Sequence, residues 1–267
     1  MSKALWMAFF GIVVAGAAAI WYLQRVEPQG PEAVLAPPVE VPGAAPSAAA
    51  VAQIEYPLPE PAREAGISHL PELDNSDAEL RADLRPVFGA APIESVLIPD
   101  RIVRRVVVSV ISLDGEPVPL RLRPLRHAPG LLGVEVKDER ILLDPKNAER
   151  YRPLIALLQA ADMKSLAALY VRYYPLFQKA YVELGYPDRY FNDRLIEVLD
   201  HLLETREIAG PIELVRPKVL YEFADRELEQ RSSGEKILIR IGAENAEVVR
   251  GKLLEFREAV VAETARR

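Results

Sequence analysis

The chain has 267 residues, half of them hydrophobic, and its 39 acidic and 33 basic side chains leave a formal charge of −6. That apolar share excludes a wholly disordered chain, and the lack of a basic surplus excludes the electrostatic footprint of a nucleic-acid binder. There is no cysteine, which excludes disulfides, thiol catalysis, a lipidated cysteine and cysteine-ligated zinc.

After a tail of residues 1–3, Ala4 to Leu23 run for twenty positions without a charged side chain. A helix needs about twenty apolar residues to cross a hydrocarbon core of roughly 30 Å. Trp21 and Tyr22 close the run with rings that favour the membrane–water interface, and Arg25 follows at headgroup depth. The pattern predicts an uncleaved transmembrane helix over 4–23. Lys3 and Ala17-Ala18-Ala19 support the competing reading of a cleaved signal peptide, but apolar character continues through Ile20 to Leu23. Gly11, Ala15 and Ala19 share one helical face, a spacing that comes cheaply in so alanine-rich a run. The amino group and Lys3 precede the span, which favours a cytoplasmic N-terminus by about one charge and sends the rest of the chain across.

Residues 24–65 change to Pro, Ala, Val and Glu, as in Pro37-Pro38-Val39-Glu40-Val41-Pro42 and Tyr56-Pro57-Leu58-Pro59-Glu60-Pro61. Proline removes amide donors and fixes φ, so a disordered linker with extended polyproline character is expected.

Residues 66–262 read as one mainly α (α+β) domain, a compact multi-helix unit with one or two short β-hairpins, before a flexible tail over 263–267. Ser76-Asp77-Ala78-Glu79 has the form of a capping box opening a helix toward Val87. Ile102, Val103, Val106, Val107, Val110 and Ile111 recur at helical spacing, although the β-branched run Val106 to Val110 also suits a buried strand. Leu131 to Val136 and Arg140 to Leu143 look like a hairpin. Asp144-Pro145 supplies an N-cap and first-turn proline for a helix carrying Tyr151, Leu154, Ile155 and Leu158 on one face. The clearest periodicity runs from Leu166 to Leu184, with a kink expected at Pro175 and an end at Gly185. Phe191, Leu195, Val198, Leu199 and Leu202 define another amphipathic helix. Ile212 to Leu214 and Val219 to Tyr221 are expected to pair as short strands, and a last helical region starts at Ile237 and breaks at Gly242.

The motifs Tyr170-x-x-Tyr173-Tyr174-Pro175-Leu176-Phe177, Leu184-Gly185-Tyr186-Pro187, Tyr190-Phe191-Asn192-Asp193-Arg194-Leu195, Pro217-Lys218-Val219-Leu220-Tyr221 and Gly242-x-Glu244-Asn245 stand in this order. In them the chain resembles an uncharacterised bacterial family, domain of unknown function 3014, over roughly Leu70 to Val260. The resemblance brings no activity, cofactor or catalytic residue. It implies an inner-membrane protein facing the periplasm of a bacterial envelope.

Two regions hold the chemistry-bearing side chains. Asp193, Glu197, Asp200 and Glu204 form an acidic stripe along one helix, with His201 between Glu197 and Glu204. A carboxylate–histidine–carboxylate trio at helical spacing can ligate a divalent metal, and a carboxylate can orient a histidine as a base. This makes Glu197 and His201 the catalytic candidates; the alternatives are a solvated polar face and an acidic stripe for docking a partner. The turn before that helix carries Tyr186, Arg189, Tyr190, Asn192, Asp193 and Arg194, residue types that recognition surfaces use; the alternative is helix capping and ion pairing. Arg101, Arg104, Arg105, Arg121, Arg123, Arg126 and His127 make one basic zone, suited to anionic lipid headgroups, to an acidic polymer or to plain solvation.

No nucleophile elbow, phosphate loop, zinc-protease motif or dinucleotide fingerprint is present. No cofactor or metal is expected. The sequence therefore points to a membrane-anchored envelope protein whose periplasmic helical domain binds another protein or the cell wall. The alternative is a membrane-tethered cell-wall glycan hydrolase or lyase using a carboxylate such as Glu197.

Overall fold

The computed structural model describes residues 54–58 and 70–265. The helix expected over 4–23 and most of the Pro-rich stretch lie outside these residues. The described part is mainly helical and carries one small four-stranded antiparallel sheet. Among the described residues no single helix is long and apolar enough to cross a membrane.

Helices α1 (Asp77–Phe88), α2 (Ala90–Val96) and α3 (Ile102–Ser112) open the domain. The β-branched residues of α3 are helical because Ile102, Val103 and Val107 are at most 2 % exposed. Burial of that face outweighs the modest rotamer cost of branching in a helix. The expected capping box at Ser76 does not form. Ser76 Oγ donates to Leu73 O at 2.8 Å. Asp77 instead serves α3, accepting from the N–H groups of Arg101 (2.7 Å) and Ile102 (2.8 Å). Those amides begin α3, whose first-turn donors have no partner within the helix. Arg101 holds the left-handed φ of 49° at this junction.

The hairpin expected from the alternating run is present as β1 (Val134–Lys137) and β2 (Arg140–Leu143), joined by Asp138 and Glu139 at φ 50° and 62°. Two positive φ values match the twist of a two-residue hairpin turn. The expected second pair is displaced by one residue on its first strand and re-sited on its second. It is formed by β3 (Glu213–Val215) and β4 (Glu222–Phe223), while Val219 and Leu220 are solvent-exposed. Because β2 also pairs with β3 (Ile141 opposite Leu214), the two hairpins make a single sheet in the order β1-β2-β3-β4. Leu214, Phe223 and Ile239 form its own small core.

Asp144 caps as expected, accepting from Lys146 N at 2.8 Å, but the stretch it opens, Pro145–Tyr151, winds as a 3₁₀ helix before α4 (Arg152–Ala160). The long helix α5 (Met163–Glu183) is capped by Asp162 and runs without interruption through Pro175. Gly185, at φ 103°, turns the chain toward α6 (Phe191–Leu203). After the sheet come the short α7 (Arg226–Glu229), then α8 (Ser233–Arg240) and α9 (Ala243–Thr264), separated at Gly242 as expected. A capping box between Ser232 and Glu235 starts α8, four residues before the periodicity places it. The main core lies between α3, α5, α6 and α9, where Tyr173, Tyr181, Phe191 and Val260 are at most 1 % exposed.

Candidate functional site

The α5–α6 turn and the start of α6 hold a piece of the chain's own upstream sequence. Residues 54–58 lie against this corner, and four hydrogen bonds fix their backbone. Asp193 takes two of them, from Glu55 N to Oδ2 (3.1 Å) and from Tyr56 N to Oδ1 (2.8 Å). Asn192 Nδ2 donates to Tyr56 O at 2.8 Å, and Leu58 N donates to Tyr190 Oη at 2.9 Å. Leu58 places its side chain in the main core at 8 % exposure. The segment, bent at Glu55 and Tyr56, is thus held through its main chain, with Leu58 in the core and Tyr56 packed against it.

The corner is rigidly built. Gln178, one turn from the end of α5, accepts from Phe191 N (2.7 Å) and from Tyr174 Oη (2.8 Å) and donates to Arg189 O (2.9 Å). It therefore satisfies the first amide of α6, which has no side-chain cap. Asn192 is fully buried, and its Oδ1 accepts from Tyr170 Oη at 3.0 Å. With both ends of its amide engaged, Asn192 has one orientation only. Burial raises the pKa of the Tyr170 phenol well above its usual value, keeping it a neutral donor. Tyr186 stacks on Tyr181 with ring centroids 4.6 Å apart, and Tyr190 tilts against Tyr174 at 5.2 Å. Arg194 bonds Asp114 (2.6 Å), Glu197 (2.9 Å) and Ile111 O (3.3 Å). Burial works against its charge, but the two carboxylates prevail and raise its pKa above the usual arginine value.

Of the six candidate binding residues, Tyr190, Asn192 and Asp193 touch the docked segment through their side chains. Tyr186 and Arg194 brace the corner, and Arg189 contributes its carbonyl. The occupant was hidden by its position in the Pro-rich stretch. A legible signal was the pair Tyr56 and Leu58, two large apolar side chains set among Pro, Ala and Glu.

The acidic stripe disperses into separate pairings. Asp193 holds the segment, Asp200 pairs with Arg257, and Glu197, with 65 % of its side chain exposed, pairs with Arg194. His201 Nε2 is 2.9 Å from Ser232 Oγ and 3.7 Å from Glu235, so Glu197 and His201 are drawn to different neighbours. Among the described residues no group of three or more His, Asp or Glu side chains could hold a metal ion. Part of the basic zone is engaged locally as well, while Arg121, Arg126 and His127 are exposed. Arg104 bridges Asp74 and Glu183, while Arg105 binds Asp100 and the carbonyls of Arg121 and Arg123.

These features define a helical domain with a small sheet appended and a peptide-holding corner at the α5–α6 junction. The model of a family described as "Protein of unknown function (DUF3014)" matches residues 102–257, more than half of the chain, and the protein belongs to that family. No curated protein and no solved structure matches the chain.

Proposed function

We propose that this is a single-pass bacterial inner-membrane protein, its N-terminus cytoplasmic and its helical domain presented in the periplasm as a binding module for envelope proteins. The twenty apolar residues 4–23, the interfacial Trp21 and Tyr22 and the charge preceding the span support the anchor and its orientation. The observation that carries the binding function is the segment held by Tyr190, Asn192 and Asp193. The corner's four hydrogen bonds to the segment all engage main-chain groups, while Tyr56 and Leu58 pack against the core, so a partner peptide with the same bend and a suitably placed aromatic and leucine satisfies the same corner. The chain's own segment competes with any such partner from a high effective concentration, on the order of millimolar for a short tether. A carboxylate-based hydrolase gains no support, because Glu197 is largely in solvent beside Arg194 rather than in an apolar cleft.

The test uses full-length protein with Leu58→Asp, which releases the chain's own segment, and a labelled peptide copying residues 53–61. The peptide is expected to bind this variant, to bind wild type more weakly, and to lose binding when Asp193→Ala is added. Absence of binding to the released variant would overturn the recognition role. Independently, alkaline phosphatase fused at the C-terminus is expected to be active, and an inactive fusion with an active cytoplasmic reporter would reverse the orientation.

A further inference from the structure

The helices line an apolar pocket of about 430 Å³ that is partly open to solvent. Its walls come from α1 to α6 and α9, through residues such as Leu84, Val110, Leu154, Leu169, Leu199 and Phe256. Tyr170 is the one lining residue with a polar side-chain atom, and that hydroxyl is committed to Asn192 Oδ1. Protein interiors are packed as densely as organic crystals, and voids larger than a water molecule are few. An apolar cavity of roughly 150 Å³ takes up benzene, so this volume accommodates about three times as many carbons, on the order of a sixteen-carbon chain.

We infer that the cavity is a binding site for a single long hydrocarbon chain, carried by a free fatty acid or by a membrane lipid. The walls offer no free donor or acceptor. An extended peptide seated there would bury amide groups without partners, which excludes a backbone as the occupant. For the same reason a carboxylate or phosphate head group stays outside, and only the chain enters. The site is separate from the peptide-holding corner, meeting it at Tyr170, Phe177 and Phe191.

Photo-crosslinking tests this in membranes containing the full-length protein, with two probes: palmitate bearing a terminal diazirine, and a phospholipid with the same acyl chain. Peptide mass spectrometry is expected to find adducts on the lining segments of α4, α5 or α9, in addition to any on residues 4–23. Adducts from palmitate alone identify a fatty-acid site, and adducts from the phospholipid identify a lipid tail. Filling the cavity by Val110→Phe, or separately Leu169→Trp, is expected to lower the lining adducts at least about tenfold. A filled variant that keeps the wild-type Tm, or exceeds it, separates occupancy from misfolding. Adducts confined to residues 4–23 and the outer surface, or equal on the filled variants, would overturn the inference.

Discussion

Leu58→Ala measures the domain's grip on its upstream segment. Burying the leucine side chain contributes about 2 kcal/mol. The two amides on the Asp193 carboxylate add about 1.5–3 kcal/mol each, and the two neutral hydrogen bonds about 1 kcal/mol each. Ordering the segment Ile54–Leu58 costs about 1–2 kcal/mol per residue, reduced at Pro57, whose φ is already fixed. With mid-range values for each contribution the docked state is favoured by about 1–3 kcal/mol, which leaves roughly one to fifteen per cent of molecules undocked. The substitution removes most of that margin. Its cost to the whole domain cannot exceed the docking free energy, because the segment can leave while the helices stay folded. It therefore falls below the upper end of about 5 kcal/mol seen for leucine truncations in closed cores. Native-state hydrogen exchange reads this directly at Glu55, Tyr56 and Leu58, whose amides are all bonded to the corner. Protection is expected to drop from about 10–100-fold to nearly none, with the amides of α5 and α6 unchanged. Full protection retained in the variant, or a loss that spreads through α6, would refute the reasoning.

Gly234→Ala is expected to destabilise the domain by about 1–3 kcal/mol in chemical denaturation, because overpacking forces backbone shifts. A Cβ there would stand 2.8 Å from Leu113 O and press on Leu202 Cδ2, at the joint where Gly234 N donates to Leu113 O; an unchanged midpoint would sink this expectation. Thr205 has a buried hydroxyl with no hydrogen-bond partner among the described residues, so Thr205→Val should raise stability by about 1 kcal/mol, and a lowered Tm would contradict it. Burial pushes the Glu229 carboxyl upward in pKa, but the Phe223 amide and the Lys236 ammonium, each within 2.9 Å, prevail and hold it below the usual range. A depressed folded pKa gives stability that is present above the unfolded value, about 4.3, and is lost as pH falls through the folded one. Glu229→Gln is accordingly expected to be less stable than wild type at pH 7, with the gap closing toward pH 3; a constant gap would show that the charge is not responsible.

The helices with sustained periodicity were legible because each buries one face over several turns, as α5 and α6 do through Tyr173, Tyr181, Phe191 and Leu199. Local motifs were less decisive wherever a distant partner competed for the same group. Ser76 and Glu79 fit a capping box, yet the Ser76 hydroxyl turns back to Leu73 and Asp77 reaches across to α3. The sheet was half legible, since pairing β2 with β3 joins residues some seventy positions apart and no local pattern announces it. The candidate site shows the same division. Aromatic and amide residues in the turn marked the corner, but the segment it holds lies 136 residues upstream of Asn192 in a stretch whose prolines argue for solvent.

That separation along the chain imposes an order on synthesis. Residues 54–58 leave the ribosome before any helix of the domain, whereas Tyr190, Asn192 and Asp193 follow after more than 130 further residues. At about 5–20 residues per second the segment waits roughly 7–27 seconds for its binding corner to exist. The first piece of the domain to be made is among the last to be placed, and during that interval Leu58 is exposed to whatever the chain meets on its way.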